Sequence, residues 1–202
     1  MADKKGENDG LMGKITNFLY EAGQLKRVRR SGWWLINIEH PESVAEHSQR
    51  AAMIGYFLAK LEKLDSAAAN KVVLMCLFND LHESRLNDLH KVGQRYINFR
   101  EAETKAFREQ TEDLGSIGKE MLSLHEEFQV QKTKESILAR DADLLENALQ
   151  AREYMKIGYA DAQNWIDNIW KVIKTESGKE LLCWIEKNDP NDWWKGLKRI
   201  ER

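Results

Sequence analysis

Residues 74–90 have the sequence LMCLFNDLHESRLNDLH, in which an apolar run leads directly into a cluster of polar side chains. On a helix, Asn79 and Glu83 would stand one turn apart, and Asp80 would continue the apolar stripe that precedes it. Burying a carboxylate on such a stripe is costly unless the group is paired, hydrogen-bonded or bound to a metal. We therefore expect other parts of the chain to supply partners for Asp80.

The composition favours a helical protein with a single domain. The chain has 202 residues, of which 42% are hydrophobic and only two are proline. Leu, Ala, Glu and Lys, which favour helices, are frequent. The formal net charge is −2, which gives no general attraction to nucleic acid. We predict an all-α helical bundle, with no nucleic acid among its partners.

The sequence shows no sign of membrane insertion or secretion. No apolar run approaches the roughly 20 residues that a membrane-spanning helix needs, and the first residues, MADKKGENDG, are polar. We expect residues 1–10 to be a flexible tail and residues 11–202 to form the domain, with the C-terminal helices packed on it. Cys76 and Cys183 are far apart and lie in apolar surroundings, which favours free thiols in a cytoplasmic protein.

Apolar residues recur at helical spacing through most of the chain. Pro41 is expected in the first turn of the second helix. Proline has no backbone N–H group, and an N–H group in the first turn would have no partner within the helix. The predicted helices span residues 11–28, 41–63, 66–83, 98–113, 116–128, 133–157, 161–175 and 180–187, followed by a short helix around Trp193.

Three of these helices carry polar residues on inward faces. His47 shares a face with apolar side chains, although a single inward histidine is more often a hydrogen-bonded core residue than a ligand. In the helix over residues 133–157, the apolar face centres near Asp141, with Asp143 well round the cylinder. An imidazole and several carboxylates that converge in a helical core form a candidate site for Mn, Fe, Co, Ni or Zn, which accept mixed nitrogen and oxygen ligands.

The loop before the second helix contains a basic cluster and a tryptophan pair. The arginines around Arg30 either complete a helix C-terminus or bind a phosphate. A pair such as Trp33 and Trp34 is more often core packing than a ligand platform. Other catalytic classes are poorly supported, because the sequence has no GxSxG motif, P-loop or GxGxxG motif, and the apolar flanks of Cys76 disfavour a reactive thiolate.

Three segments between residues 11 and 154 together resemble the 5′-deoxynucleotidase branch of the HD-domain metal-dependent phosphohydrolases. They are GQLKRVRRSGWWLINIEHPESVAEHSQRAAM (residues 23–53), NDLHE…ND (residues 79–88) and ADLLENALQAREY (residues 142–154). The resemblance implies a single HD-domain bundle that removes the 5′-phosphate from deoxynucleoside 5′-monophosphates. It also implies a divalent metal (Co, Mn or another transition ion, with Mg as an alternative), a small-molecule nucleotide substrate and a homodimer.

The resemblance also assigns metal ligands to individual residues. His47, Asp80 and Asp143 match metal-ligand positions of the family. Asn79 stands where the family has the histidine of its His-Asp pair, so it is included among the candidate ligands. The resemblance therefore favours Asp143 as the ligand, whereas helical periodicity alone favours Asp141.

The same resemblance implies residues for catalysis and for substrate binding. Glu83 matches a catalytic glutamate that helps to activate the attacking water. Asp88 matches an aspartate near the sugar and the reacting centre, and is assigned to both catalysis and substrate binding. Trp33 matches a tryptophan that helps to exclude a 2′-hydroxyl group, and Arg30 is the candidate phosphate ligand.

Asn79 is the main departure from the family pattern. An amide oxygen is neutral and is a weaker ligand than imidazole for transition metals. His82 lies about 60° round a helix from Asn79, which makes it a poorly placed substitute. The alternatives are an HD-domain protein that binds nucleotide with weakened or lost activity, an HD hydrolase of another nucleotide, and a structural helical protein with buried polar networks.

Overall fold

The computed structural model describes the backbone of residues 2–197 and the side-chain environments of residues 10–197. Every regular element in this part of the chain is helical, and its β contacts are limited to an isolated bridge between Arg29 and Ser43. The predicted all-α fold is therefore confirmed. Among the helices within these limits, none is both long and apolar enough to cross a membrane.

Most of the α-helices follow one another through short connections, but residues 23–43, which include two 3-10 turns, separate the first from the second. The α-helices are α1 (Ala2–Ala22), α2 (Val44–Leu61), α3 (Ser66–Phe78), α4 (Glu83–Leu86), α5 (Lys91–Gln94), α6 (Phe99–Thr111), α7 (Gly115–Val130), α8 (Lys134–Lys156), α9 (Gln163–Trp170) and α10 (Glu176–Lys187). The short helix predicted around Trp193 is a 3-10 turn, Asp192–Trp194, and residues 198–202 of the predicted domain lie outside the described residues.

Helices α2, α3 and α8 form the centre of the bundle. Leu58, Val72 and Leu145, one from each helix, have no exposed surface. Helices α2 and α3 approach closely at Gly55, where a Cβ atom would lie 3.0 Å from Val72 Cγ1 and 3.1 Å from Cys76 Sγ. Such close packing leaves little freedom in the relative position of the helices. It therefore also fixes the polar residues that they carry.

Helix α1 extends further towards the N-terminus than the sequence indicated. We predicted a helix over residues 11–28 after a loose tail, but α1 runs from Ala2 to Ala22, and residues 23–26 form a 3-10 turn. Residues 2–10 thus continue the helix instead of forming an irregular segment. Their polar composition offers no apolar stripe from which the extension could be predicted.

Helix α2 begins at Val44 because Ser43 caps it, so the predicted start at Pro41 was wrong by three residues. Ser43 Oγ accepts a hydrogen bond from Glu46 N at 3.3 Å, and Ser43 N donates to Glu46 Oε2 at 2.6 Å. This capping box satisfies amides that the first turn otherwise leaves unpaired. It also fixes the turn from which His47 enters the core.

Helix α3 ends at Phe78, whereas the sequence predicted a helix to residue 83. The chain then turns, with Glu83 N donating to Asp80 O at 3.0 Å, and resumes as the short helix α4. Helix α4 ends at Asn87, whose φ of 62° and ψ of 164° define a backbone conformation that residues other than glycine rarely adopt. The polar cluster therefore lies on a break between two helices, and Asp80 and Glu83 do not share one helix face.

The C-terminal helices α9 and α10 pack against α8. Ile166 of α9 and Leu182 of α10 are both fully buried. Asp141 of α8 binds the turn between these two helices, because its Oδ2 accepts hydrogen bonds at 2.7 Å from both Thr175 N and Thr175 Oγ1. Asp141 is thus a buried carboxylate, as the apolar face indicated, with a role in joining α8 to the C-terminal region.

Candidate metal and substrate site

A cavity of about 830 Å³ opens between the break after α3 and helices α6, α8 and α9. It also borders the 3-10 turn Ser31–Ile36. Most of the residues that the sequence singled out lie in its wall: Arg30, Trp33, Asn79, Asp80, Glu83, Asp88 and Asp143. His47 is buried beside Asp80 and Asp143, as its inward position on α2 predicted.

Three side chains from three different parts of the chain meet at the inner end of this cavity. His47 Nε2 of α2 lies 2.9 Å from Asp143 Oδ1 of α8 and 3.6 Å from Asp80 Oδ2, which follows α3. One ligand atom from each of the three residues lies within 4.8 Å of the others. The partners that Asp80 needed are therefore supplied by α2 and α8.

The charges in this group are strongly coupled. Burial and Arg30 both disfavour the protonated imidazole of His47, but Glu146 and Asp143 outweigh them and raise its pKa to about 10. Burial raises the pKa of Asp143, yet Arg140 and His47 hold it below its usual range. Burial is also the largest influence on Asp80 and raises its pKa, against the opposing effects of His47 and Arg30. The carboxylates around His47 therefore favour a positive charge at this position.

The donor set fits a divalent transition ion. His47 offers an imidazole nitrogen, and Asp80 and Asp143 offer carboxylate oxygens on the cavity side. Mn, Fe, Co, Ni and Zn accept such mixed donors, and two carboxylates compensate the charge of a divalent cation. An open cavity next to the three side chains leaves room for a substrate and water.

Asn79 lies beside this group, in the position that the family resemblance assigned to a histidine. The side chain is half-buried, lines the cavity, and donates from Nδ2 to Asp80 Oδ1 at 2.6 Å. An amide in this position orients one carboxylate of the group. It presents its N–H to Asp80, whereas a ligating side chain would present an oxygen or nitrogen lone pair to the ion.

His82 does not add a second imidazole to this group. Its ring is buried between Phe99 and His125, with centroid distances of 6.3 Å and 5.9 Å. Its Nε2 lies 3.5 Å from Glu103 Oε1 of α6. The residue therefore faces the α6–α7 side of the cavity and is not a member of the His47–Asp80–Asp143 group.

Asp143, and not Asp141, lies beside His47. Asp141 is occupied by the backbone and hydroxyl of Thr175, as described above. Periodicity favoured Asp141 because it assumes a single buried stripe, whereas α8 is enclosed on several sides by α2, α3, α9 and α10. On such a helix a carboxylate away from the main stripe is still buried.

Glu83 stands in the cavity wall with little exposure to solvent, and its Oε2 atom has no hydrogen-bond partner among the described residues. Burial, and after it the charges of Asp80 and Asp88, raise the pKa of Glu83 well above its usual range. A buried carboxyl group with an unpaired oxygen and a raised pKa is suited to accept or hold a proton from a cavity molecule.

Arg30 brings a cation to the same cavity. Its Nη1 lies 3.7 Å from Asp80 Oδ2 and 3.6 Å from Asp88 Oδ1, and its Nη2 donates to Asn147 Oδ1 at 3.0 Å. Asp88 in turn accepts a hydrogen bond from Ser31 N. The other N–H groups of Arg30 make no further hydrogen bond within residues 10–197, so they can donate to an anion in the cavity.

Trp33 lies in the core and also borders the cavity. It is 1% exposed, stacks on Trp165 of α9 with a centroid distance of 4.7 Å, and meets Tyr154 edge-on at 5.0 Å. Its Nε1 donates to Glu42 Oε1 at 3.3 Å. The residue is thus core packing and at the same time a fixed part of the cavity wall, whereas Trp34 is half exposed.

Sequence reasoning missed three residues of α8 that contact this site. Arg140 Nη1 donates to Asp143 Oδ2 at 2.6 Å, and Asn147 Nδ2 donates to the carbonyl oxygen of Asp143 at 2.8 Å. Glu146 is fully buried and is hydrogen-bonded to His47 Nδ1. Spacing of three or four residues from Asp143 was the available signal, because such residues lie next to it on a helix.

Comparison with known proteins agrees with this geometry. Residues 22–182 match the HD domain family. The 5′-deoxynucleotidase HDDC2 of Dictyostelium discoideum is 36% identical over 152 residues, which are 72% of this chain and 80% of that protein. The protein of the same name from Homo sapiens is 33% identical over 144 residues, 69% of this chain and 68% of that protein.

A solved structure has a similar fold over most of its length. That of a conserved hypothetical protein from Pyrococcus furiosus has a TM-score of 0.72 and 29% sequence identity, and the match covers 86% of this chain and 99% of that one. The family match, the relatives and this structure all extend over most of the chain. The chain therefore belongs to the HD-domain family.

Proposed function

We propose that this protein is a metal-dependent phosphomonoesterase that removes the 5′-phosphate from deoxynucleoside 5′-monophosphates. The observation that carries the proposal is the His47–Asp80–Asp143 group at the inner end of a cavity of about 830 Å³. The names of the relatives from Dictyostelium discoideum and Homo sapiens supply the substrate class.

The proposed metal ligands are His47, Asp80 and Asp143, with Asn79 as a weaker fourth candidate. A bound divalent ion would supply Lewis acidity towards a phosphate oxygen and a water molecule. The donor set favours Co, Mn or another transition ion, and Mg is a less suitable alternative because it prefers oxygen ligands.

Two arginines that contact Asp80 or Asp143 are proposed to hold the phosphate group. Arg30 faces the cavity with Nη1 more than 3.5 Å from its neighbouring carboxylates, so it has donors available for phosphate oxygens. Arg140 lines the cavity on the side of Asp143 and offers a second guanidinium group. Arginine suits this task because its planar fork matches the geometry of phosphate oxygens.

Glu83 is the proposed proton acceptor for the attacking water. Its unpaired Oε2 and raised pKa support this role, because a base with a pKa nearer neutrality transfers protons effectively at physiological pH. Asp88 is proposed to hold the sugar next to the reacting centre. Its side chain is kept in place by Ser31 N and Arg30.

Trp33 is the proposed barrier to ribonucleotides. An indole ring that is stacked on Trp165 and bounded by Tyr154 cannot move aside easily, since its neighbours are themselves packed. A rigid wall at this point would exclude a 2′-hydroxyl group while accepting a 2′-deoxyribose. The hydrogen bond from its Nε1 to Glu42 holds the ring in the same orientation.

A specific observation favours one alternative, a nucleotide-binding HD-domain protein with weakened metal binding. Asn79, proposed to stand in place of the histidine of the His-Asp pair, donates its amide N–H to Asp80. The group then has one imidazole where the family pattern has two. The Asn79→His variant separates the alternatives, because it restores the second imidazole.

The test is phosphate release from each deoxynucleoside and ribonucleoside 5′-monophosphate in the presence of Mn²⁺ or Co²⁺, for the wild type and for Asn79→His. We expect release from deoxynucleotides by the wild type and faster release by the variant. Release by the variant alone would identify a disabled member of the family. No release by either protein would contradict the enzymatic function.

The proposal also includes a homodimer and a cytoplasmic location. The first rests on the resemblance in sequence, and the second is supported by two free cysteines, Cys76 and Cys183, as expected in a reducing compartment. We further propose that residues 11–202 form one HD domain. Light scattering of the purified protein measures the oligomeric state directly.

A further inference from the structure

Both ring nitrogens of His47 face carboxylates that come from α8. Nε2 lies 2.9 Å from Asp143 Oδ1, and Nδ1 is hydrogen-bonded to Glu146 Oε2. Asp143 and Glu146 are three residues apart, so they project from neighbouring turns of the same helix. The imidazole is therefore held between two carboxylates that reach it from opposite sides.

The two carboxylates have different surroundings. Asp143 lines the cavity, whereas Glu146 is fully buried and is not part of the cavity wall. A buried carboxylate requires pairing to offset its loss of hydration. Arg50 of α2 supplies it, because its Nε donates to Glu146 Oε1 at 2.8 Å and its Nη2 lies 2.7 Å from the same oxygen.

Arg50 is itself fixed by two further residues of α8. Its Nη1 donates to Glu153 Oε1 at 2.6 Å, and its Nη2 donates to Gln150 Oε1 at 2.9 Å. Glu42, His47 and Glu146 also lie close enough together to hold an ion, but the guanidinium group of Arg50 already provides the positive charge there. The Nδ1 side of His47 thus contacts a buried glutamate that is itself paired with Arg50.

We propose that Glu146 is a positioning residue that keeps the proton of His47 on Nδ1 and leaves Nε2 to bind the metal ion. Metal-binding histidines commonly donate the other ring N–H to a carboxylate, which fixes the tautomer and the direction of the ring. Here the acceptor is held by Arg50, and Nε2 is the ring nitrogen that faces Asp80 and Asp143. The inference rests on the metal site of the proposed function, and is independent of the substrate.

The decisive variant is Glu146→Gln, with Glu153→Gln as the matched control. Both changes remove one carboxylate from Arg50 and keep the size of the side chain, but only Glu146 contacts His47. A glutamine at position 146 presents an N–H group either to Arg50 or to His47 Nδ1. The second arrangement favours the tautomer that carries its proton on Nε2 and cannot bind a metal there.

The readout is the Kd for Mn²⁺, measured by titration calorimetry of the metal-stripped full chain. We expect Glu146→Gln to weaken Mn²⁺ binding by about 10- to 100-fold, the usual loss for such a partner of a ligating histidine. The Kd of Glu153→Gln should remain close to that of the wild type. Equal loss in the two variants, or no loss in either, would overturn the proposal and leave Glu146 as a structural member of the Arg50 network.

A second measurement needs no variant and therefore does not depend on how Glu146→Gln folds. In the Zn²⁺-loaded wild-type protein labelled with ¹⁵N-histidine, we expect the His47 signals of a protonated Nδ1 and a metal-bound Nε2. Binding through Nδ1, or the absence of any His47–metal signal, would refute the inference. If both measurements succeed while no nucleotide is hydrolysed, the proposed substrate fails and the role of Glu146 stands.

Discussion

Replacing Glu83 with glutamine removes a proposed proton acceptor while keeping the size and polarity of the side chain. Glu83 Oε2 accepts no hydrogen bond from the described residues, so an amide in its place breaks few protein interactions. The substitution also removes a buried charge that lies near Asp80 and Asp88. We therefore expect the free energy of unfolding to change by no more than about 1 kcal/mol.

The expected effect on catalysis is much larger. A positioned general base contributes about 10²- to 10⁴-fold to a rate. At about 1.36 kcal/mol for each factor of ten, the loss of Glu83 corresponds to about 2.7–5.4 kcal/mol in the activation free energy. Mn²⁺ affinity should be unchanged, because Glu83 is not part of the His47–Asp80–Asp143 group.

The assay is steady-state release of phosphate from a deoxynucleoside monophosphate across a range of pH. A base must be unprotonated to act, and the pKa of Glu83 is raised above its usual value near 4.5. The wild-type kcat/KM should therefore fall on the acid side at a pH above 4.5, and this fall should disappear in Glu83→Gln.

Glu103→Gln is the control, since Glu103 also lines the cavity but approaches His82 rather than the metal group. We expect it to keep most of the wild-type activity. A Glu83→Gln enzyme within about threefold of the wild-type kcat, less than 1 kcal/mol, would refute the assigned role. An equal loss in both variants would show that any carboxylate in the cavity wall has the same effect.

Three further predictions concern specificity, pH and the second buried aspartate of α8. Trp33→Phe should lower the free energy of unfolding by about 1–3 kcal/mol, through lost volume and the lost hydrogen bond to Glu42. It should also raise activity on ribonucleotides relative to deoxynucleotides. An unchanged ratio of the two activities would exclude Trp33 as the barrier. Burial, followed by the neighbouring His82, lowers the pKa of His125 to about 4. In the unfolded chain His125 takes up a proton near pH 6.5. The stabilisation that comes from a neutral His125 is therefore complete above pH 6.5 and is lost as the pH falls towards 4. This loss lowers the free energy of unfolding by about 2 kcal/mol between pH 7 and pH 5. Urea unfolding at the two pH values should show this loss in the wild type and a smaller one in His125→Phe, and equal losses would contradict it. Asp141→Asn should lower the free energy of unfolding by about 1–3 kcal/mol, because it disturbs the hydrogen bonds to Thr175. It should leave the Kd for Mn²⁺ unchanged. Asp143→Asn should instead weaken Mn²⁺ binding.

The helical class and the inward position of His47 were predictable because they follow from local pattern. Helix formers and apolar spacing recur through the chain, and His47 lies on the same face as the buried Ala51 and Ile54. The break after Phe78 was not predictable in this way. Residues 79–83 have no glycine or proline to end a helix, and Asp80 in this turn is paired with Arg30 and His47, which are distant in sequence.

The choice between Asp141 and Asp143 shows a second limit of local pattern. A single apolar stripe identifies the buried side of a helix that has one neighbour. Helix α8 has neighbours on several sides, and Leu138, Ala142, Leu145 and Ala148 are all fully buried. The resemblance to a family assigned Asp143 to the site, whereas the contact of Glu146 with His47 depends on the packing of α2 against α8. Arg140 contacts Asp143 within α8, at a spacing of three residues.

The early end of α3 has an electrostatic consequence. The peptide dipoles of a helix sum to about half a negative charge at its C-terminus, with a stabilisation of about 0.3–1 kcal/mol for a nearby cation. Because α3 stops at Phe78, this negative end falls immediately before Asp80. If the helix continued to residue 83, its negative C-terminal end would lie about one turn further from the site. The backbone itself therefore adds to the attraction that the carboxylates exert on a cation.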